Sequence, residues 1–221
     1  LKLAISNEIF RNWELENVIS FCAESGYDGI EIAASSLAEK PDQLAAKRRE
    51  SLRNFAENHK IDIIGLNRIL LQPEGLSISS PHEKVRIHTQ NYLIDLIDLC
   101  ADLGGHRLIF DSPKQRNITP TQNFQEVWGF VCTLFSNLMQ KAAERNVNIC
   151  FEALSPSETN FLNTTAETME LIFQVNHPNF LLNLNFRAMS EEEYTIAEMI
   201  EDTKNYIGHV HLNESIVLDA G

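Results

Sequence analysis

The sequence predicts an α/β fold of the TIM (β/α)8 type, with seven of its eight βα units in view. Three observations predict it. Short apolar or alternating runs recur at intervals of about 25 to 45 residues, the spacing of successive βα units. Stripes of apolar residues at helical spacing lie between them. Several runs end on a polar side chain, as expected where the carboxyl ends of barrel strands face a ligand. No low-complexity linker or composition break divides the 221 residues, so a single domain, 1–221, is the economical reading. The chain ends at Asp219-Ala220-Gly221, straight after the seventh run and in no recognisable cap. The expectation is a barrel truncated after its seventh strand, with the eighth unit missing from this chain, or else an open barrel.

The first strand is expected in LKLAISNEIF, where Leu1, Leu3 and Ile5 share one side. A helix follows over Asn12–Ser25 with Leu15, Val18, Ile19 and Cys22 on one face, and Gly26 lies where a left-handed cap residue belongs. The second strand is YDGIEIAAS; the second helix spans about Asp42 to His59, with Lys47, Arg48, Arg49 and Glu50 on its solvated face. The third strand, IDIIGL, leads through a loop to Ser80-Pro81-His82-Glu83, which reads as a capping box with proline at the first helical position. That helix stops at Gly104-Gly105. The fourth strand is HRLIFDS, and the broad stripe from Phe124 to Ala142 is core packing. The fifth strand and its surroundings, Val147–Thr165, organise the rest: a buried run ends on Glu152, and a helix starts at Thr164-Thr165-Ala166-Glu167. The sixth strand, FLLNLNF, precedes a second capping box at Ser190–Glu193, and the seventh is IGHVHLN.

Composition excludes several classes. The net charge of −13 repels phosphate backbones and anionic lipid, so neither nucleic acid nor membrane is an expected partner. No apolar run approaches the roughly 18 residues that span a bilayer, and no signal-peptide pattern is visible, although the chain opens on Leu1. Cys22, Cys100, Cys132 and Cys150 lie far apart in apolar segments with no CxxC, as buried free thiols of a cytoplasmic protein would. A homo-oligomer is left open.

Three strand ends carry polar groups of ligand type: Glu152, Asn185 and His211. A carboxylate closing an apolar run is costly to bury unless it meets a metal, a proton or a cation. Strand alternation puts Asn183 with Asn185, and His209 with His211, on single faces. A carboxylate, an amide oxygen and an imidazole from adjacent strands suit one divalent cation; the other reading is a hydrogen-bonded polar plug in the barrel mouth. In the loop Asp111-Ser112-Pro113-Lys114-Gln115-Arg116, two cations stand at the ligand-bearing end. Lys114 and Arg116 either clamp an anionic group of a substrate or make surface ion pairs. Asn67 and Arg68 form a similar pair after the third strand.

The segments GYDGIEI (26–32), FEALSPSETNFLNTTAETMELI (151–172), HPNFLLNLN (177–185) and IGHVHLNES (207–215) resemble those of the xylose isomerase-like TIM barrels, the sugar isomerase/epimerase superfamily. ETNFLNT followed by HVHL is the specific part. The resemblance implies one divalent metal (Mn, Co, Mg or Zn), held in ketose-acting members by a Glu, an Asp, a His and a second Glu from four successive strands. Glu152 matches the first and His211 the third; Asn185 stands at the Asp position, and the last Glu belongs to the absent eighth strand. Glu158 matches a substrate-hydroxyl contact, and His209, Asn67, Lys114 and Arg116 complete the expected substrate-binding set. Ala188-Met189 and Ile216-Val217 stand where many members have a His and an Arg.

The implied reaction is proton transfer next to a carbonyl through an enediolate, with Glu152 as the nameable acid–base residue and a sugar or related polyhydroxy carbonyl compound as substrate. The alternative is a non-catalytic sugar-binding relative, since an amide oxygen brings no charge to the cation. Phosphodiester cleavage of the endonuclease IV type ranks last, because seven histidines, several on helices or loops, supply too few ligands for a metal cluster.

Overall fold

Residues 2–212 are described by the structure, a computed structural model. Strands β1 (Ala4–Ser6), β2 (Gly29–Ala33), β3 (Asp62–Asn67), β4 (Arg107–Phe110), β5 (Asn148–Glu152), β6 (Phe180–Asn185) and β7 (Ile207–His211) form one parallel sheet in sequence order. Between them run α1 (Leu15–Glu24), α2 (Ala34–Leu37), α3 (Ala46–Asn58), α4 (Glu83–Asp102), α5 (Phe124–Glu144), α6 (Thr165–Val175), α7 (Phe186–Met189) and α8 (Ile196–Thr203). All seven predicted strands are present.

The sheet is curled. Arg107 of β4 donates from Nε to the carbonyl of Gly208 in β7 at 2.8 Å. Three strand spacings in a flat sheet would separate those strands by roughly 14 Å. Side chains of β2 and β7 also meet inside, so the seven strands wrap most of the way round a TIM-type barrel.

Strand alternation then sorts the residues. One face sends Ile30, Leu66, Leu108, Phe110, Phe151 and Leu182 outward, all buried beneath the helices. Phe135 from α5 meets the stacked rings of Phe110 and Phe151 edge-on, at 5.3 and 5.4 Å. Each such buried ring contributes about 1.5–3 kcal/mol through the apolar area removed from water. The other face points into the barrel and carries the polar residues.

Two irregularities adjust that inner face. The β6–β7 register pairs Leu182 with Ile207 but Asn183 with His209, so Gly208 is skipped. A Cβ at Gly208 would lie 2.7 Å from Cys150 Sγ and 2.8 Å from Leu181 Cβ, which leaves room only for glycine at this bulge. The β2–β3 register shifts between Ile30 and Glu31 in the same way.

Helix ends show where local signals meet tertiary competition. Thr164 and Glu167 form the expected capping box on α6. Ser80–Glu83 does not form one: α4 starts at Glu83 with His82 as an N-cap lacking a side-chain bond, and Ser80 Oγ accepts only from the His82 N–H. Nor does Ser190–Glu193: Ser190 Oγ donates to the Arg187 carbonyl at the end of α7 instead of capping a following helix. The real box is Thr195 with Glu198, at the start of α8. Arg48 and Arg49 are not simply solvated. Arg48 grips Glu16, and half-buried Arg49 binds Asp102 and the carbonyls of Leu44 and Pro41.

The four cysteines are free and buried, as expected. Burial pushes the thiols of Cys100 and Cys150 up to about 12 and that of Cys132 up to about 11, so they act as packing groups rather than nucleophiles. Among the described residues no helix is long and apolar enough to cross a membrane.

Candidate active site

Strand register places the polar residues at one height. Glu152 pairs with Asn183, Asn183 with His209, and Asn185 with His211, all at the carboxyl rim. Glu152 and Asn183 are almost fully buried, Asn185 nearly so, and the two histidines are partly covered.

The His211 ring joins two carboxylates. Its Nδ1 lies 2.8 Å from Glu152 Oε2, and its Nε2 lies 3.1 Å from Glu31 Oε1. His209 Nε2 lies 2.9 Å from the other Glu31 oxygen. Glu31 was not among the expected site residues, although its signal was the same as that of Glu152: a carboxylate inside an apolar strand, GIEIA. Burial works to raise the Glu31 carboxyl, but hydrogen bonds from the two histidines overcome it and hold it at about 2. Burial likewise opposes a charge on His211, yet its bonds to Glu152 and Glu31 push the ring up to about 11. His211 thus bridges the buried carboxylates of Glu152 and Glu31.

The two asparagines complete the surroundings of Glu152. Asn185 donates from Nδ2 to Glu152 Oε1 at 2.6 Å, while its Oδ1 accepts the Ala188 N–H at 3.1 Å as the N-cap of α7. The expected metal-ligating oxygen of Asn185 is thus turned away from Glu152 and His211, because the short helix α7 starts immediately after β6 and needs a cap. Asn183 donates to Glu152 Oε2, lies 3.2 Å from His211 Nδ1, and leaves its own Oδ1 buried without a partner among the described residues.

The remaining candidates are spread more widely. Arg116 is neither a surface cation nor a free clamp: it is fully buried. It donates to the carbonyls of Ser112, Glu152 and Phe110 at 3.2, 2.7 and 3.0 Å, and its guanidinium lies 4.5 Å from the Phe151 ring centre. The planar fork thus meets three carbonyls at once, those that end β4 and β5 and one in the loop after β4. Lys114 and Glu158 are exposed on their loops. Asn67 is buried, bonds Ser6 Oγ at 3.2 Å, and also leaves its Oδ1 unpartnered among the described residues. Asp111, just past β4, accepts the Arg68 N–H at 3.1 and 3.2 Å. Burial and the nearby charge of Glu152 push its carboxyl up to about 7. Ile216-Val217 lie outside the described residues.

A cavity of about 790 Å³ opens at the other rim, beside Lys2, Arg53, Lys60, His106 and Arg107. It lies at the amino ends of β3 and β4 and brings no carboxylate together with the two strand-borne histidines. In barrels of this type ligands bind at the carboxyl ends of the strands.

Donor chemistry at the carboxyl rim suits a divalent cation. One nitrogen or oxygen each from Glu31, His209 and His211 lie within 4.8 Å of one another, and His211 Nδ1 faces Glu152 on the opposite side of the ring. A family model described as xylose isomerase-like TIM barrel matches residues 19–220. The chain belongs to that family.

Within the xylose isomerase-like TIM barrels, the chain is 35% identical over 197 residues to the L-ribulose 3-epimerase of Methylomonas sp. (strain DH-1), covering 89% of this chain and 65% of that protein. It is 24% identical over 202 residues to the L-ribulose 3-epimerase of Mesorhizobium japonicum, covering 91% and 65% respectively. The chain thus spans about two thirds of the length of these curated relatives. Among solved structures, a D-psicose 3-epimerase crystallised in the presence of D-fructose superposes with a TM-score of 0.84 at 20% identity, covering 100% of this chain and 76% of the other. That likeness concerns the fold.

Proposed function

We propose that this chain carries most of the active site of a metal-dependent ketose 3-epimerase, acting on a small polyhydroxy ketone by proton transfer next to the carbonyl. The observation that carries the reading is His211 held between two buried carboxylates, Glu152 and Glu31, at the carboxyl rim. The relatives named as L-ribulose 3-epimerases supply the reaction class.

Each residue then has a role. Glu152 and His211 Nδ1 hold the cation, which when bound supplies Lewis-acid polarisation of a carbonyl and an adjacent hydroxyl. Glu31 accepts from His209 and from His211 Nε2, which fixes the His211 ring with Nδ1 towards Glu152 and keeps the imidazole basic. Glu152 takes the carbon-bound proton on one face of the substrate. The amide of Asn185 holds its carboxylate in place. Return of the proton to the opposite face needs a second acid, which the family pattern puts on an eighth strand. Asn67 and Glu158 are proposed to contact substrate hydroxyls.

A second reading is sugar binding without turnover. It is favoured by Asn185, whose oxygen caps α7 and which adds no charge to the cation. Hydrogen exchange at carbon 3 separates the two. The whole protein, with Mn²⁺ and a ketose such as ribulose, psicose or fructose in D₂O, is expected to incorporate deuterium at C3, and Glu152→Gln to incorporate none. Ketose binding with no exchange in any of these sugars would select the second reading.

A further inference from the structure

We infer that Asn183, not Asn185, supplies the amide oxygen of the cation site, an inference that rests on the proposed metal dependence. Three polar atoms crowd one point inside the barrel: Asn183 Nδ2, Glu152 Oε2 and His211 Nδ1. The last two are 2.8 Å apart, and Nδ2 is 3.2 Å from Nδ1 while donating to Oε2. Glu152 Oε2 takes the facing groups of both Asn183 and His211, and it is the nitrogen end of the Asn183 amide that is turned to this point.

Meanwhile Asn183 Oδ1 is buried with no partner among the described residues, in a residue only 1% exposed. Leaving such an oxygen unsatisfied costs about 1–3 kcal/mol. A half-turn of the amide exchanges its two ends and brings Oδ1 to the gap between Glu152 and His211. A cation there receives a carboxylate oxygen, an imidazole nitrogen and an amide oxygen, while Nδ2 turns to the place that Oδ1 leaves. Asn185 has no such freedom. Its oxygen is committed to the Ala188 N–H, and its nitrogen faces Glu152 Oε1. Asn183 pairs directly with both Glu152 and His209 in the sheet, so the strand register delivers it to the centre of the site.

The test is Mn²⁺ binding by the full chain, read from the electron paramagnetic resonance signal of free Mn²⁺ and from the rise in melting temperature on adding the ion. Asn183→Leu is expected to weaken binding by about tenfold or more, since even loss of groups outside the ligand set costs 10–100-fold. Asn183→Asp, which adds charge at the same position, is expected to tighten binding. Asn185→Asp, whose added charge sits at the N-cap of α7, is expected to tighten binding less than Asn183→Asp does. Should Asn183→Leu fail to fold, the other two variants decide. Tighter binding by Asn185→Asp than by Asn183→Asp, or binding by Asn183→Asp no tighter than normal, would overturn this assignment and leave the proposed function standing. An unaltered chain that takes up no Mn²⁺ would overturn both.

Discussion

His211 Nδ1 lies 2.8 Å from Glu152 Oε2, across 59 residues of chain. The pair joins β5 to β7 through the barrel interior, and Glu31 of β2 closes the triangle from the far side of the His211 ring. Six strands of sheet curvature are needed to bring these three groups together, so the state of the site reports on the state of the fold.

Glu31→Gln keeps the shape of the side chain and removes its charge. With a neutral acceptor behind it, His211 becomes a weaker ligand, and Mn²⁺ affinity measured by calorimetry is expected to fall by about 10–100-fold. Affinity unchanged by the substitution would mean that Glu31 neither orients His211 nor binds the ion.

Arg116 ties the ends of β4 and β5 together from within. Arg116→Met retains bulk but orphans three carbonyls, and unfolding by urea is expected to show a loss of about 3 kcal/mol. Arg116→Lys is expected to recover only part of it, since an ammonium cannot reproduce the planar fork. Ketose binding should suffer only in proportion to the lost stability, because Arg116 has no exposed surface to offer a ligand.

Asp111 makes stability depend on pH. Burial and the neighbouring Glu152 push its folded carboxyl up to about 7, well above an ordinary aspartate at 3.8. Folding therefore favours the protonated form, so this contribution is complete below 3.8 and is lost as pH rises through 7. Asp111→Asn removes the dependence. Relative to the unaltered chain, the variant is expected to gain about 1–3 kcal/mol between pH 4 and pH 8 in urea titrations. A difference that stays flat across that range would show that the carboxyl is not raised.

The caps of α8 can be compared directly. Thr195→Ala is expected to cost about 1 kcal/mol in chemical unfolding, and Ser190→Ala much less, because Thr195 holds the helix terminus and Ser190 only bonds a turn carbonyl. Equal costs would restore the earlier helix start.

Apolar spacing located seven strands in their order and the longer helices between them, and residue type marked the helix start at Thr164. It also drew attention to Glu152, Asn185 and His211 as strand ends with groups to satisfy. It did so because strand and helix periodicities, and the cost of a charge in an apolar run, are local properties of consecutive residues. Glu31 carried the same local mark and was passed over, since its partners lie 180 residues further on.

What only the tertiary structure decided was who pairs with whom. Arg116 looked like a loop cation and became an internal post, because curvature set three carbonyls around it. The oxygen of Asn185 was drawn to α7, and that of Asn183 was left alone at the centre of the site. The cap fell to Thr195, whose hydroxyl meets the Glu198 N–H, while the Ser190 hydroxyl turned back to the Arg187 carbonyl. Hydrogen-bonding groups choose among all the neighbours that folding brings near, and that choice is made in space, where residues far apart in the chain compete on equal terms with adjacent ones.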